Sequence, residues 1–152
     1  MSARSRTNQL LYQTRLLLAM PVGEDEHAEA RRMALEEGAL AQLELALAST
    51  IEEIAHTCHW PDVDWRQALI DPPRRVAEIE RLRALREEAD SWLARLLGHI
   101  DRLHGEEGAA TRTRSMATIA STSRGSLADD LQAALEGFRE LLPALRETGM
   151  EW

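Results

Sequence analysis

Residues 24–59 read EDEHAEARRMALEEGALAQLELALASTIEEIAHTCH, and this stretch decides the fold. Apolar residues recur in it at steps of three, four and seven, which places them on one face of a helix. These residues are Met33, Leu40, Leu43, Leu47, Ile51 and Ile54. One helix cannot bury so long an apolar face by itself, so we expect other helices of the chain to pack against it.

Three further segments have the same amphipathic character. The first covers residues 5–20, the third covers residues 75–104, and the fourth begins at Leu127. Residues 105–126 form a long connection between the third and fourth helices. The pattern predicts an all-α protein with one domain over residues 1–152, folded as an antiparallel up-and-down four-helix bundle.

Local signals refine these helices. Asp64 is positioned to cap a short helical turn over residues 65–69, and Ser126 and Asp129 have the spacing of a capping box. Gly38 lies inside the second helix, where it marks either a close helix crossing or a break. Pro143 falls near the end of the fourth helix and is expected to kink it.

Charge and cysteine content restrict the function classes. The formal net charge is -8, which argues against a general binder of nucleic acid or of anionic membranes. All basic side chains are arginine, and two segments, 1–20 and 109–126, carry three arginines each and no acid. The single Cys58 excludes an internal disulfide, and no apolar run approaches the length of a membrane span. We therefore expect a cytoplasmic protein that does not enter a membrane.

Short motifs at both ends and in the middle of the chain suggest a relationship. Residues 6–9 read RTNQ and are followed by Leu-Tyr at 11–12, residues 91–93 read SWL, and residues 149–152 read GMEW. Together they resemble an uncharacterised family of small proteobacterial helical proteins. The resemblance implies one coherent helical domain, and it implies no activity, cofactor or partner.

The sequence does not predict a metal site. Glu53 and His56 have the spacing found in di-iron bundles, but such a site also needs a carboxylate from every helix, and the first helix contains none. His56, Cys58 and His59 supply only three local zinc ligands, which point to different sides of a helix. We expect no metal and no cofactor.

Catalytic arrangements are also not predicted. Small helical RNases of the HEPN class, which resemble this architecture, carry an arginine and a histidine that are separated by four to six intervening residues. Here Arg95 precedes His99 by three intervening residues, and Arg102 precedes His104 by one. Cys58 lies beside His59, but adjacent residues of a helix do not face each other, so a thiol nucleophile is not indicated. We therefore name no catalytic residue.

Polar and basic residues outside the apolar faces form the candidate contact surface. Asn8, Tyr12 and Arg15 make a polar row along the first helix, and the basic connection adds further guanidinium groups. The complete predicted surface is Arg6, Asn8, Tyr12, Arg15, Arg112, Arg114 and Arg124.

This surface leads to two functional hypotheses. The first is a non-enzymatic protein–protein interaction module that self-associates, with a homodimer as the expected form and a further protein partner left unidentified. The alternative is binding of a phosphorylated ligand or RNA through the basic patch of the first helix and residues 109–126.

Overall fold

The computed structural model describes residues 1–112 and 125–149, and in these residues it contains six α-helices and no strand. They are α1 (Ala3–Ala19), α2 (Ala28–Thr57), α3 (Trp65–Ile70), α4 (Ala77–Glu87), α5 (Trp92–Leu103) and α6 (Leu127–Thr148). The predicted all-α class is therefore confirmed. None of the described helices combines the length and the apolar character needed to cross a membrane.

Helix α2 is the element on which the rest of the fold is built. It contacts each of the other five helices, and Leu40, Leu43, Leu47 and Ile51 on its apolar face are fully buried. The predicted organising role of this stretch is confirmed. The core consists mainly of leucine and alanine, and Phe138, the single phenylalanine of the chain, is also fully buried.

The start of α2 differs from the prediction. The acidic run at 24–26 precedes the helix, because a loop forms there that begins at Gly23 with a positive φ of 74°. Asp25 accepts a hydrogen bond from the backbone N–H of His27 at 2.9 Å, and the Arg31 guanidinium contacts both Asp25 and the Val22 carbonyl. This arginine holds the loop against the first turn of α2, so the acids cap a loop instead of beginning the helix.

Helix α1 runs antiparallel to α2 and contacts it closely. The Thr7 hydroxyl lies 2.8 Å from the Ser49 hydroxyl, and a Cβ added to Gly38 would lie 3.8 Å from Leu17. Helix α2 continues through Gly38 without a break, and a side chain there would make only an ordinary contact with Leu17, so the predicted break is wrong.

The prediction of a single third helix over residues 75–104 is wrong, because the chain forms two helices there. Ser91 accepts a hydrogen bond from the backbone N–H of Ala94 at 3.0 Å and donates to the carbonyl of Leu85, so it caps the start of α5 and binds the end of α4. Arg86 of α4 donates to the Leu69 carbonyl of α3.

The two capping predictions are confirmed. Asp64 accepts from the backbone N–H of Gln67 at 3.1 Å and caps the short helix α3. Ser126 and Asp129 form a capping box at the start of α6, each side chain accepting from the other residue's backbone N–H.

Candidate contact surface on the first helix

The inner side of α1 fixes the orientation of its outer side. Thr7 and Thr14 are fully buried, and their hydroxyls donate to the backbone carbonyls of Ala3 and Leu10 respectively. The Ser49 hydroxyl of α2 also donates to the Ala3 carbonyl, at 3.0 Å. The Ser49 contact joins α1 to α2, and because Thr7 and Thr14 are buried, the opposite side of α1 faces solvent.

That opposite side is called the outer face of α1 here. It consists of exposed residues that recur at helical spacing. They are Ser5, Asn8, Tyr12, Arg15, Leu16 and Ala19. Three of them, Asn8, Tyr12 and Arg15, are the polar row that the sequence predicts as part of the contact surface.

Apolar side chains lie on this face without cover. Tyr12 is 54% exposed, Leu16 is 46% exposed, and Met20, the C-terminal cap of α1, is 54% exposed. Among the described residues, four of the six exposed large hydrophobic side chains belong to α1 or its flanking residues Met1 and Met20. The sequence prediction missed Leu16 and Met20, although they follow Tyr12 at successive steps of four, which was a signal for a shared side.

A groove runs between the outer face of α1 and helix α6. Its volume is about 290 Å³, and each helix contributes four residues. They are Asn8, Leu11, Tyr12 and Arg15 from α1, and Arg139, Leu142, Pro143 and Arg146 from α6. The groove therefore combines three guanidinium groups with an apolar floor.

The three arginines of the groove differ in their partners. Arg146 makes two hydrogen bonds with the Glu53 carboxylate, of 3.0 and 3.1 Å, and a further one with the Asn8 side-chain oxygen at 3.1 Å. Arg15 lies over the Tyr12 ring, with its Cζ atom 5.2 Å from the ring centre. Within residues 1–112 and 125–149, no acidic group forms an ion pair with Arg15 or Arg139. Two of the three guanidinium groups therefore remain available to a ligand.

The other predicted contact residues lie elsewhere. Arg6 is exposed and donates to the Gln9 side chain at 2.7 Å. Arg112 is exposed, while Arg114 and Arg124 lie outside the described residues.

The described beginning of the long connection packs against α2. The backbone N–H groups of Ala109 and Ala110 donate to the Glu37 carboxylate, at 2.8 and 3.2 Å. Gly108 has a positive φ of 73°, and a Cβ there would overlap that same carboxylate, so glycine is required. Arg32 donates to the Thr111 carbonyl at 2.7 Å. Arg112 therefore follows a segment that is anchored on the N-terminal half of α2.

The residues considered for metal binding or catalysis are placed as follows. Glu53 is engaged by Arg146, and His56 is exposed beside a larger groove of about 470 Å³ that also includes Cys58. Burial raises the pKa of the Cys58 thiol, and the Glu78 carboxylate adds to the increase. A raised pKa reduces the thiolate fraction, which is the reactive form. No group of three or more possible metal ligands occurs in the part of the chain that the structure describes.

His99 is a buried residue that holds α5 against α6. Its Nδ1 accepts from Arg102 at 2.6 Å, and because arginine can only donate, Nε2 carries the proton and donates to Asp130 at 2.8 Å. Arg95 donates to the other oxygen of Asp130 at 3.0 Å. Both imidazole nitrogens are therefore occupied, which leaves His99 no free atom for proton transfer.

Comparison with known proteins identifies the family of the chain. A family model described as a family of unknown function (DUF6586) matches residues 1–152. The chain belongs to this family. No curated protein and no solved structure matches the chain. The match includes the residues of both helices that line the groove. The prediction that the chain belongs to an uncharacterised family is confirmed.

Proposed function

We propose that the chain is a non-enzymatic helical module that binds proteins, including a second copy of itself, through the outer face of α1. The observation that carries this proposal is the uncovered apolar row of Tyr12, Leu16 and Met20. Exposed apolar patches bordered by polar groups mark interaction sites more often than other surface. The guanidinium group of Arg15 and the amide of Asn8 supply such a border.

The contacts made by two titratable side chains, Glu53 and His99, support a role without catalysis. Glu53 is held by Arg146, and His99 is held between Arg102 and Asp130. These contacts stabilise helix packing, and a general acid or base needs a free atom within reach of a substrate.

Charge favours an antiparallel pairing of two copies through α1. If Leu16 lies opposite Leu16 of a second copy, the basic start of α1, with Arg4 and Arg6, extends past Ala19 of that copy, where its chain continues into the acidic run 24–26. A parallel pairing would place like charges together. Leu16 lies near the end of α1, so the two helices overlap over only a few turns in this register, and we expect a weak or moderate dimer.

Sedimentation velocity over a range of concentrations tests self-association. We expect the wild-type chain to shift towards a dimer with concentration, and Leu16→Glu to remain monomeric. The control is Ile70→Glu, because Ile70 is 57% exposed on α3, away from α1. A wild-type chain that stays monomeric at every concentration, or equal effects of the two variants, contradicts self-association through α1.

A charge exchange tests the antiparallel register. We expect Arg6→Glu and Glu26→Arg each to weaken the dimer, and the double variant to recover most of the wild-type affinity because the ion pair is restored with its sign reversed. Recovery is not expected for a parallel pair. If the double variant loses as much dimer affinity as the two single variants lose together, the proposed register is wrong.

Binding of a phosphorylated ligand or RNA is the second candidate function. The observation in its favour is that Arg15, Arg139 and Arg112 have no ion pair with any acid of the described residues. Thr7, beside Arg6, contacts Ser49 of α2, and Thr111, beside Arg112, contacts Arg32 of α2. These two points are roughly 25 Å apart along α2, so a ligand that binds both arginines must be long. An electrophoretic shift assay with single-stranded RNA at low salt tests it, and absence of a shift removes it.

The proposal also includes the up-and-down arrangement of the helices and the cytoplasmic location that the sequence predicts. The antiparallel contact of α1 with α2 supports an up-and-down bundle in which α4 and α5 together take the place of the third helix. The single cysteine supports a reducing, cytoplasmic compartment.

A further inference from the structure

We propose that the groove between α1 and α6 binds an acidic peptide segment of a protein partner. The inference rests on the proposed function, since it names the chemistry of a partner that reaches the same face of α1. Three properties of the groove support it: unpaired positive charge, an apolar floor and a backbone acceptor.

The charge of the groove is opposite to that of the chain. The chain has a net charge of -8, yet the groove has three arginines and no acid among its described lining residues. The Arg146 charge is compensated by Glu53, while those of Arg15 and Arg139 are not. Guanidinium groups bind carboxylates through two parallel hydrogen bonds, so a carboxylate side chain suits this position.

The floor of the groove is apolar. Leu11, Leu142 and Pro143 line it, with the exposed ring of Tyr12 at its edge. A volume of about 290 Å³ is near the lower end of ligand sites, which run from roughly 300 to 1,000 Å³. It accommodates one or two side chains of an extended segment. A ligand that alternates acidic and apolar residues satisfies both the arginines and the floor.

Pro143 adds a hydrogen-bond acceptor to the α6 side. It lies inside α6, and because proline has no N–H, the carbonyl of Arg139 one turn earlier lacks its helical donor. Both residues line the groove, and in this proposal the ligand supplies the donor that this carbonyl lacks. A peptide brings backbone N–H donors as well as carboxylates, whereas a phosphate group at neutral pH brings mainly acceptors. This acceptor favours a peptide over a nucleic-acid backbone.

Fluorescence anisotropy with a labelled peptide tests the proposal. The probe is a short fluorescein-labelled peptide of alternating glutamate and leucine, compared with the same peptide carrying glutamine for glutamate. We expect the glutamate peptide to bind at least about tenfold more tightly at low salt, and the difference to shrink as salt screens the charges. Equal binding of the two peptides, or no binding of either, overturns the proposal.

Substitutions in the groove test its location. We expect Arg15→Gln and Arg139→Gln each to weaken glutamate-peptide binding about fivefold. Arg81→Gln is the control, since Arg81 is an exposed arginine on α4 and should leave binding unchanged. An effect of Arg81→Gln as large as that of the groove variants contradicts the site. Tighter binding of a single-stranded RNA probe that also depends on Arg139 replaces the peptide proposal with the nucleic-acid one.

Failure of this inference can be told apart from failure of the proposed function. If Leu16→Glu abolishes self-association and the glutamate peptide does not bind, only the groove proposal is wrong. If the peptide binds with the expected dependence on Arg15 and Arg139 while the chain stays monomeric, self-association is wrong and the groove stands.

Discussion

Helix α6 packs against α5 on one side and α1 on the other, and the two sides differ in how completely they are filled. On the α5 side, Asp130 accepts hydrogen bonds from Arg95 and His99, and Gly137 lies directly against the Trp92 ring. On the α1 side, Arg139 and Pro143 line an open groove. The same helix therefore completes the fold on one side, while on the other the Arg139 guanidinium has no ion pair with any acid of residues 1–112 and 125–149, which is why we assign function to the α1 side.

Close packing defines the α5 side. The Trp92 and Phe138 rings lie 4.9 Å apart between centres, tilted by 53°, and Trp92 lies directly over Gly137. Charges on this side are compensated, since Asp130 accepts from both Arg95 and His99. Substitutions here should change the stability of the fold, and substitutions on the α1 side should change binding.

The largest effect is expected at Gly137. A Cβ at this position would overlap the indole ring of Trp92, which is held by Phe138, so Gly137→Ala should lower the free energy of unfolding by at least about 2 kcal/mol. Urea unfolding followed by circular dichroism measures it. Gly98→Ala in α5 is the control. A Cβ at Gly98 would meet no atom within 4 Å, so this substitution should raise the free energy of unfolding by up to about 1 kcal/mol. A neutral Gly137→Ala would show that the α5 side is not filled.

A smaller loss is expected when the charge network on the α5 side is broken. Asp130→Ala removes the acceptor of the buried Nε2–H of His99 and of the Arg95 guanidinium, so we expect a loss of about 2 kcal/mol in urea unfolding. Glu140→Ala is the matched control, because Glu140 is an exposed acid on the same helix. Similar losses in both variants would mean that the network contributes no more than an ordinary surface charge.

The filled side shows which parts of the fold were predictable. The apolar repeat of α2 and the caps at Asp64 and Ser126 are local signals, and each one predicts its element correctly. The division between α4 and α5 was missed because residues 75–104 read as one amphipathic segment. Ser91 was the local signal for that division, since serine at this position can cap a new helix.

The open side was predicted only in part. The polar row of Asn8, Tyr12 and Arg15 is visible in the sequence because its residues are three and four apart on one helix. The opposite wall, with Arg139 and Arg146, comes from α6, and single-helix spacing does not indicate which helices are neighbours. Long-range packing places the two walls together, so the groove itself could not be predicted.

A gain in stability is expected at Pro143, on the open side. Pro143→Ala restores a backbone N–H to α6, which can then bond the Arg139 carbonyl, so we expect about 1 to 2 kcal/mol more stability in urea. The same change should weaken binding of the glutamate peptide severalfold, because the free acceptor is lost. Greater stability together with unchanged peptide affinity would show that the carbonyl does not contact the ligand.

The smallest effect on stability is expected at Arg139. Its guanidinium has no ion pair with the acids that the structure describes, so Arg139→Ala should change the free energy of unfolding by less than about 0.5 kcal/mol. Thermal and urea unfolding are measured for Arg139→Ala and for Asp130→Ala. The two results compare the loss of one charged side chain from each side of α6. If removing Arg139 costs as much as removing Asp130, then Arg139 stabilises the fold, and the α1 side contributes to packing as much as the α5 side does. A stable Arg139→Ala that has lost peptide affinity separates binding from folding at one residue.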